Sequence, residues 1–182
     1  MKKETILLVV VALVVGGLVG VISSKTQKDS TTVNQAVTSV PAVNYQKKIQ
    51  ALEEIVSKEP DNRNAWVQLG HNYFDSNQPM EAIEAYDKAL DLDGKDPNVL
   101  TDQGIMYRRL GWFDKAIDNF SKASKLNPGH TQSLYNIGLV YRDDLHDEQK
   151  AKEAWTRYLE IAPAGEGADK IAIMLDHMEN GH

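Results

Sequence analysis

Residues 65–74 read AWVQLGHNYF, and the chain returns to the same frame at 99–108 as VLTDQGIMYR and at 133–142 as SLYNIGLVYR. Gly70, Gly104 and Gly138 therefore recur at intervals of 34, with Tyr73, Tyr107 and Tyr141 three places later. A fixed period of this length marks a repeat architecture, in which one supersecondary unit is copied and stacked. Working outward, Trp66, Leu100 and Leu134 keep the interval, as do Ala82 and Ala116. The third copy lags by one residue: its small residue is Ala151 rather than Lys150, which puts one insertion in the acidic turn Asp143 to Asp147. Beyond it the frame holds, giving Tyr86, Phe120 and Trp155 as large aromatics, then Ala89, Ala123 and Tyr158, and finally the breakers Gly94, Pro128 and Pro163.

Each copy holds two segments of about fourteen residues with apolar spacing near 3.6. Breakers such as Ser76-Asn77-Gln78-Pro79 and Leu110-Gly111 separate them, so each copy is predicted to be a helical hairpin. Gly70 and Ala82 stand where the two helices of the first hairpin cross, with Tyr73 and Tyr86 filling the space beside them. Gly104 and Ala116, with Tyr107 and Phe120, repeat the arrangement in the second. One hairpin cannot bury its own apolar face, so neighbours must stack into a solenoid. Ahead of the first copy, Tyr45, Ile49, Leu52 and Val56 fall on one helical face ending at Pro60, as a lone second helix of an earlier unit, 44–62. After the third, Ala168, Ile171, Leu175 and Met178 form a stripe with Asp169, Lys170, Asp176 and Glu179 facing away. That segment, 164–182, is expected to cap the stack, with a partner-binding helix as the alternative.

The series Trp66, Leu69, Gly70, Tyr73, Ala82, Tyr86 and Ala89 resembles the signature of the tetratricopeptide-repeat (TPR) family: W-x2-L-G-x2-Y, then a spaced alanine, an aromatic, a second alanine and a proline. The resemblance covers 63–163 as three repeats, 63–96, 97–130 and 131–163. Three departures stand out: Gln103 for the usual leucine, Gly94 for proline, and Tyr158 for a small residue, the last expected to loosen packing near the C-terminus. The resemblance implies an all-α fold, a three-repeat solenoid of antiparallel hairpins, and a protein- or peptide-binding scaffold rather than an enzyme. In such arrays the first helices of the hairpins line a concave groove. By position, Asn64, Val67, His71 and Phe74 would face it from the first repeat, and Asn98, Thr101, Ile105, Arg108 and Arg109 from the second. Gln132, Tyr135, Leu139 and Arg142 would complete it from the third. Apolar members would anchor a peptide, and Arg108, Arg109 and Arg142 would pair with its acidic groups, or else with acids of this chain. The chaperone-type carboxylate clamp is rejected, because Val67, His71, Asp102, Gln132 and Asn136 at its positions include no lysine or arginine.

Charge and composition narrow the partners. The chain carries a net charge of -6, of which residues 1–43 contribute +2 from four lysines and two acids, leaving -8 on the remainder. A nucleic-acid partner is disfavoured, since phosphate binding needs a basic face. The absence of cysteine excludes disulfides, a Cys-ligated zinc site and a lipid-modified N-terminal cysteine. Ile6 to Ile22 is an uncharged apolar run behind Lys2 and Lys3. It is long for a signal-peptide core, and the residues around Ile22, Ser23 and Ser24 fit a cleavage site poorly. An uncleaved signal anchor, a single transmembrane helix over 1–23, is expected, with a cleaved signal peptide as the alternative. Lys2 and Lys3 before the run balance Lys25 and Lys28 after it. Orientation therefore rests on the position of the run, which favours a bacterial inner-membrane protein with a periplasmic C-terminal domain. Residues 24–43, rich in Ser, Thr, Gln and Val, read as a flexible stalk.

Catalytic patterns are missing: the chain contains no P-loop, no G-x-S-x-G and no H-E-x-x-H. His71, His130, His146, His177 and His182 fall on different predicted elements. Asp91, Asp93 and Asp96 lack the glycine placement and terminal glutamate of a calcium loop, and Asp96-Pro97 reads as a helix cap and first turn. Asp143, Asp144, Asp147 and Glu148 read as a solvated turn. No metal and no cofactor is expected. The expected role is assembly of a periplasmic or membrane-associated complex. The alternatives implied by resemblance are an apocytochrome-binding module of cytochrome c maturation and a chaperone-like accessory of secretion.

Overall fold

The computed structural model describes residues 44–180, so the expected anchor and stalk lie outside the described residues. The described residues form eight α-helices and no strand: α1 (Tyr45–Lys58), α2 (Arg63–Asp75), α3 (Pro79–Leu92), α4 (Pro97–Arg109), α5 (Phe113–Leu126), α6 (Thr131–Leu139), α7 (Glu148–Ile161) and α8 (Glu166–Asn180). None of them is long and apolar enough to cross a membrane. Helices α2–α3, α4–α5 and α6–α7 pair as hairpins, α1 packs on α2, and α8 packs on α7.

Side-chain caps start several of these helices. Asn44, Asn62 and Asp147 accept from the backbone N–H three residues on, and Asp96 accepts from Asn98 and Val99. Such caps satisfy donors that the first helical turn leaves unpaired. Pro79 and Pro97 occupy first-turn positions, where the missing N–H costs nothing. The three hairpin turns each pass through one left-handed residue, Asn77, Gly111 and His146. In the first two, the amide after it closes back over five residues, Gln78 to Tyr73 O and Trp112 to Tyr107 O, both 2.9 Å. In the third, Asp147 N reaches Tyr141 O across six residues, at 2.8 Å. The extra residue is taken up by a π-helical turn, Val140–Asp144, rather than by the loop. A π turn widens one helical ring by a residue and leaves the faces on either side in register.

The crossings depend on a small residue facing a large ring. Tyr86, Phe120 and Trp155 are fully buried, and each lies against the glycine of the opposite helix: Gly70, Gly104 and Gly138. A Cβ added at Gly104 would stand 2.5 Å from the Phe120 ring. Tyr158 does not loosen the C-terminal end as expected. Its hydroxyl lies where a Cβ of Gly167 would be, and its ring sits 6.5 Å from that of Tyr135. It thus fills the α7–α8 crossing in the manner that Tyr86 fills α2–α3. Ala168 and Ile171 are buried with Ala151 and Trp155, so the apolar stripe of α8 is largely consumed by the stack. Ile173, at 58% exposure, is the large apolar α8 side chain left outside.

The second departure, Gln103, is also accommodated rather than tolerated. It is 2% exposed and hydrogen-bonded to Asp87, to the Ile83 carbonyl and to Asn119, which is 6% exposed. Buried amides cost little only when their groups find partners, and the four amide N–H groups and Gln103 Oε1 do.

Candidate partner-binding groove

The first helices, α2, α4 and α6, lie side by side with the second helices behind them. Along their shared face, Val67, Ile105, Tyr135 and Leu139 are half-buried and form an apolar lane. Asn64, Asn98 and Gln132 are exposed at its start, one per repeat. A cavity of about 310 Å³ adjoins the far end, between Gln132, Tyr135, Tyr158 and the Gly167 and Lys170 side of α8. Thr101 does not join the lane. It is 2% exposed, and its hydroxyl donates to the Pro97 carbonyl one turn back at 2.7 Å.

The arginines expected to meet a ligand are engaged within the chain. Arg108 bridges one repeat forward, Nε to Asp144 at 2.5 Å and Nη2 to Asp143 at 3.2 Å. Arg142 pairs with Asp143 at 2.5 Å and lies 5.2 Å above the Trp155 ring. Arg109 covers Phe74 at 4.5 Å and donates to the Phe74 carbonyl and Asn77. Asp143 and Asp144 therefore are not a solvated turn. Burial pushes the Asp143 carboxyl up, but hydrogen bonds and charge from Arg142 and Arg108 outweigh it and hold its pKa below the usual range. Charge reversal at Arg108 would thus strain the π turn as well as alter the groove.

Similar contacts tie the other first helices together. Arg63 binds Asp96 at 2.6 Å, His71 binds Asp102 at 3.1 Å, and His130 meets Asn98 at 3.0 Å. A search for complementary side chains one repeat apart would have found these partners, because each pair is separated by 31 to 36 residues. The hydrogen bond with Asp102 raises the His71 pKa above its ordinary 6.5; partial burial opposes this, and the charges of Asp102, Asp75 and Asp96 reinforce it. With the folded pKa raised, the pair's contribution is complete below the unfolded value and is lost as pH rises through the folded one. Exposure keeps it small. An NMR titration is expected to give His71 a pKa above 6.5 and to show a decrease on Asp102→Asn; an unchanged value would mean that the pair does not form in solution.

Among the described residues no cluster of His, Asp and Glu is arranged to hold a metal ion. Two family models described as tetratricopeptide repeat match residues 64–96 and 97–130; the hairpin with the π turn lies beyond both matches. The chain is 32% identical over 95 residues to human protein O-mannosyl-transferase TMTC3, covering 52% of this chain and 10% of that protein. It is 32% identical over 101 residues to the photosystem I assembly protein Ycf3 of Prochlorococcus marinus, covering 47% of this chain and 58% of the relative. It thus spans a tenth to about three fifths of these curated relatives. A crystal structure of MamA superposes with a TM-score of 0.68 at 28% identity, covering 75% of this chain and 79% of that one.

Proposed function

We propose that this chain, a tetratricopeptide-repeat protein, is a membrane-held scaffold that binds a protein or peptide segment along its first-helix face and thereby helps assemble a periplasmic or membrane-associated complex. The observation that carries the reading is the lane Val67, Ile105, Tyr135 and Leu139, an apolar strip left half-open along all three repeats. Groove recognition by apolar anchors needs such a strip. Ycf3 is an assembly protein by name, which favours assembly over catalysis for the repeats it shares with this chain. Because Arg108 and Arg142 already hold carboxylates, the ligand is read chiefly through apolar contacts, with Arg109, Asn98 and Gln132 as polar edges. The Ile6 to Ile22 run supplies the membrane attachment in this proposal.

The test is affinity capture with the full chain from detergent-solubilised membranes. Tyr135→Ala combined with Ile105→Ala is expected to leave the helical circular dichroism spectrum in place and to weaken the captured partner roughly thirtyfold, the effect of about 2 kcal/mol lost at interface anchors. A double variant that binds fully, beside an Ile173→Asp variant that does not, would move the binding face to α8. The identity of the captured partner separates apocytochrome handling and secretion accessory roles from the assembly role.

A further inference from the structure

Three crevices of the same construction open between successive second helices, on the side of α2, α4 and α6 away from the apolar lane. Each is floored by a tyrosine at the same repeat position, Tyr73, Tyr107 or Tyr141. The outer two are apolar at two matched positions, Leu69 with Ala85 and Ile137 with Ala154. The middle one, about 400 Å³, carries Gln103 and Asn119 there. Both amides replace aliphatic residues together, and both are more than nine-tenths buried.

Their hydrogen bonds fix which atoms remain. Gln103 Nε2 donates to Asp87 Oδ1 at 2.7 Å and to the Ile83 carbonyl at 3.3 Å, so its Oε1 faces Asn119. Asn119 Nδ2 donates to that Oε1 at 2.7 Å and to the Leu100 carbonyl at 3.4 Å. All four amide N–H groups are therefore in use. Among the described residues, Asn119 Oδ1 and Asp87 Oδ2 accept nothing. The other charges of the crevice are engaged: Lys122 holds Asp118 at 2.6 Å, and Lys115 lies over the Trp112 and Tyr107 rings. Among the described residues Asp87 makes no ion pair; its side-chain partner is the Gln103 amide.

A crevice whose free acceptors are the oxygen of an exposed carboxylate and an amide oxygen, with its amide donors used and its two lysines engaged by Asp118 and by the Trp112 and Tyr107 rings, suits a cationic, multiply donating group. We infer that the crevice between α3, α4 and α5 is a second binding site, distinct from the groove, that takes a guanidinium group, with Asp87 and Asn119 Oδ1 as its acceptors. The planar fork offers five donors in a fixed geometry that spans two neighbouring acceptors, whereas an ammonium offers three donors around a compact, strongly hydrated charge. A partner's arginine is the source the site fits; the outer crevices, with Leu69 and Ile137 in place of Gln103, lack the acceptors.

The test uses the full chain, observed through the side-chain amide NMR signals of Gln103 and Asn119, titrated with N-acetyl-argininamide. Saturable shifts of both signals are expected, with at least tenfold weaker responses to the neutral citrulline counterpart and weaker ones to the lysine counterpart. Asp87→Asn keeps an acceptor for Gln103 and removes the charge, and is expected to weaken the response tenfold or more. Gln103→Leu with Asn119→Ala installs the residues of the first crevice; here backbone amide signals of α4 and α5 are expected to stop responding. No saturable shift, an equal response to citrulline, or undiminished binding by the Asp87→Asn chain would each overturn the site. None of these outcomes depends on the groove.

Discussion

Gly104→Leu is expected to lower the melting temperature of the repeat domain by several degrees, through overpacking that costs about 1–3 kcal/mol. A first side-chain carbon at this position already meets the Phe120 ring at 2.5 Å, and leucine adds three more carbons behind it. Phe120 has no exposed surface and no direction in which to retreat, so α4 and α5 must separate. Gly94→Ala provides the control, since a Cβ there makes only an ordinary 3.5 Å contact with the Leu90 carbonyl. Trimming the ring with Phe120→Ala in the Gly104→Leu background is expected to recover part of the loss. Such non-additivity identifies a direct contact. Equal melting of Gly104→Leu and the Gly94→Ala control would contradict the crossing described here.

Trp155→Ala is expected to be more damaging, about 3–5 kcal/mol as for other large buried aromatics. The indole is fully buried, meets Gly138, donates from Nε1 to the Tyr135 carbonyl at 3.2 Å, and lies under the Arg142 guanidinium. It also shares a cluster with Ile171, so its removal undercuts α8 as well as α6. Repeat arrays are stabilised largely by nearest neighbours, and the damage should therefore stay local. Hydrogen exchange is expected to accelerate first in α6, α7 and α8, with α2 and α3 keeping most of their protection. A uniform loss from α1 to α8 would instead show that the array opens as one cooperative block.

The hairpins were legible because their causes are periodic. A glycine must recur wherever a ring is to cross a neighbouring backbone, and a left-handed turn residue must recur wherever a hairpin closes. The inserted residue could be located to the Asp143 to Asp147 region, but its accommodation as a π turn could not. Within that turn Arg108 holds Asp143 and Asp144 from the repeat before. The same long-range pairing hid the fate of the groove arginines, whose partners lie a repeat away and follow no apolar period. Thr101 misled for a local reason: its position faces the lane, but its short side chain turns back to its own helix. Tyr158 misled because its compensating glycine, Gly167, belongs to the cap and not to a repeat.

Helix α1 leaves the described domain with an unequal response to mechanical load. The first helix of the described residues, α1, rests on α2 and α3 through Ile49 and Val56 and is pinned by the Tyr73 hydroxyl donating to Glu53 at 2.6 Å. Tension applied from the N-terminal side would therefore peel α1 before it reached the first complete hairpin. Fourteen residues drawn from helix to extended chain lengthen the connection by roughly 25 Å, at rises of about 1.5 and 3.4 Å per residue. Under such a pull the lone helix would yield first, in series with the repeats, and lengthen while α2 to α7 keep their shape.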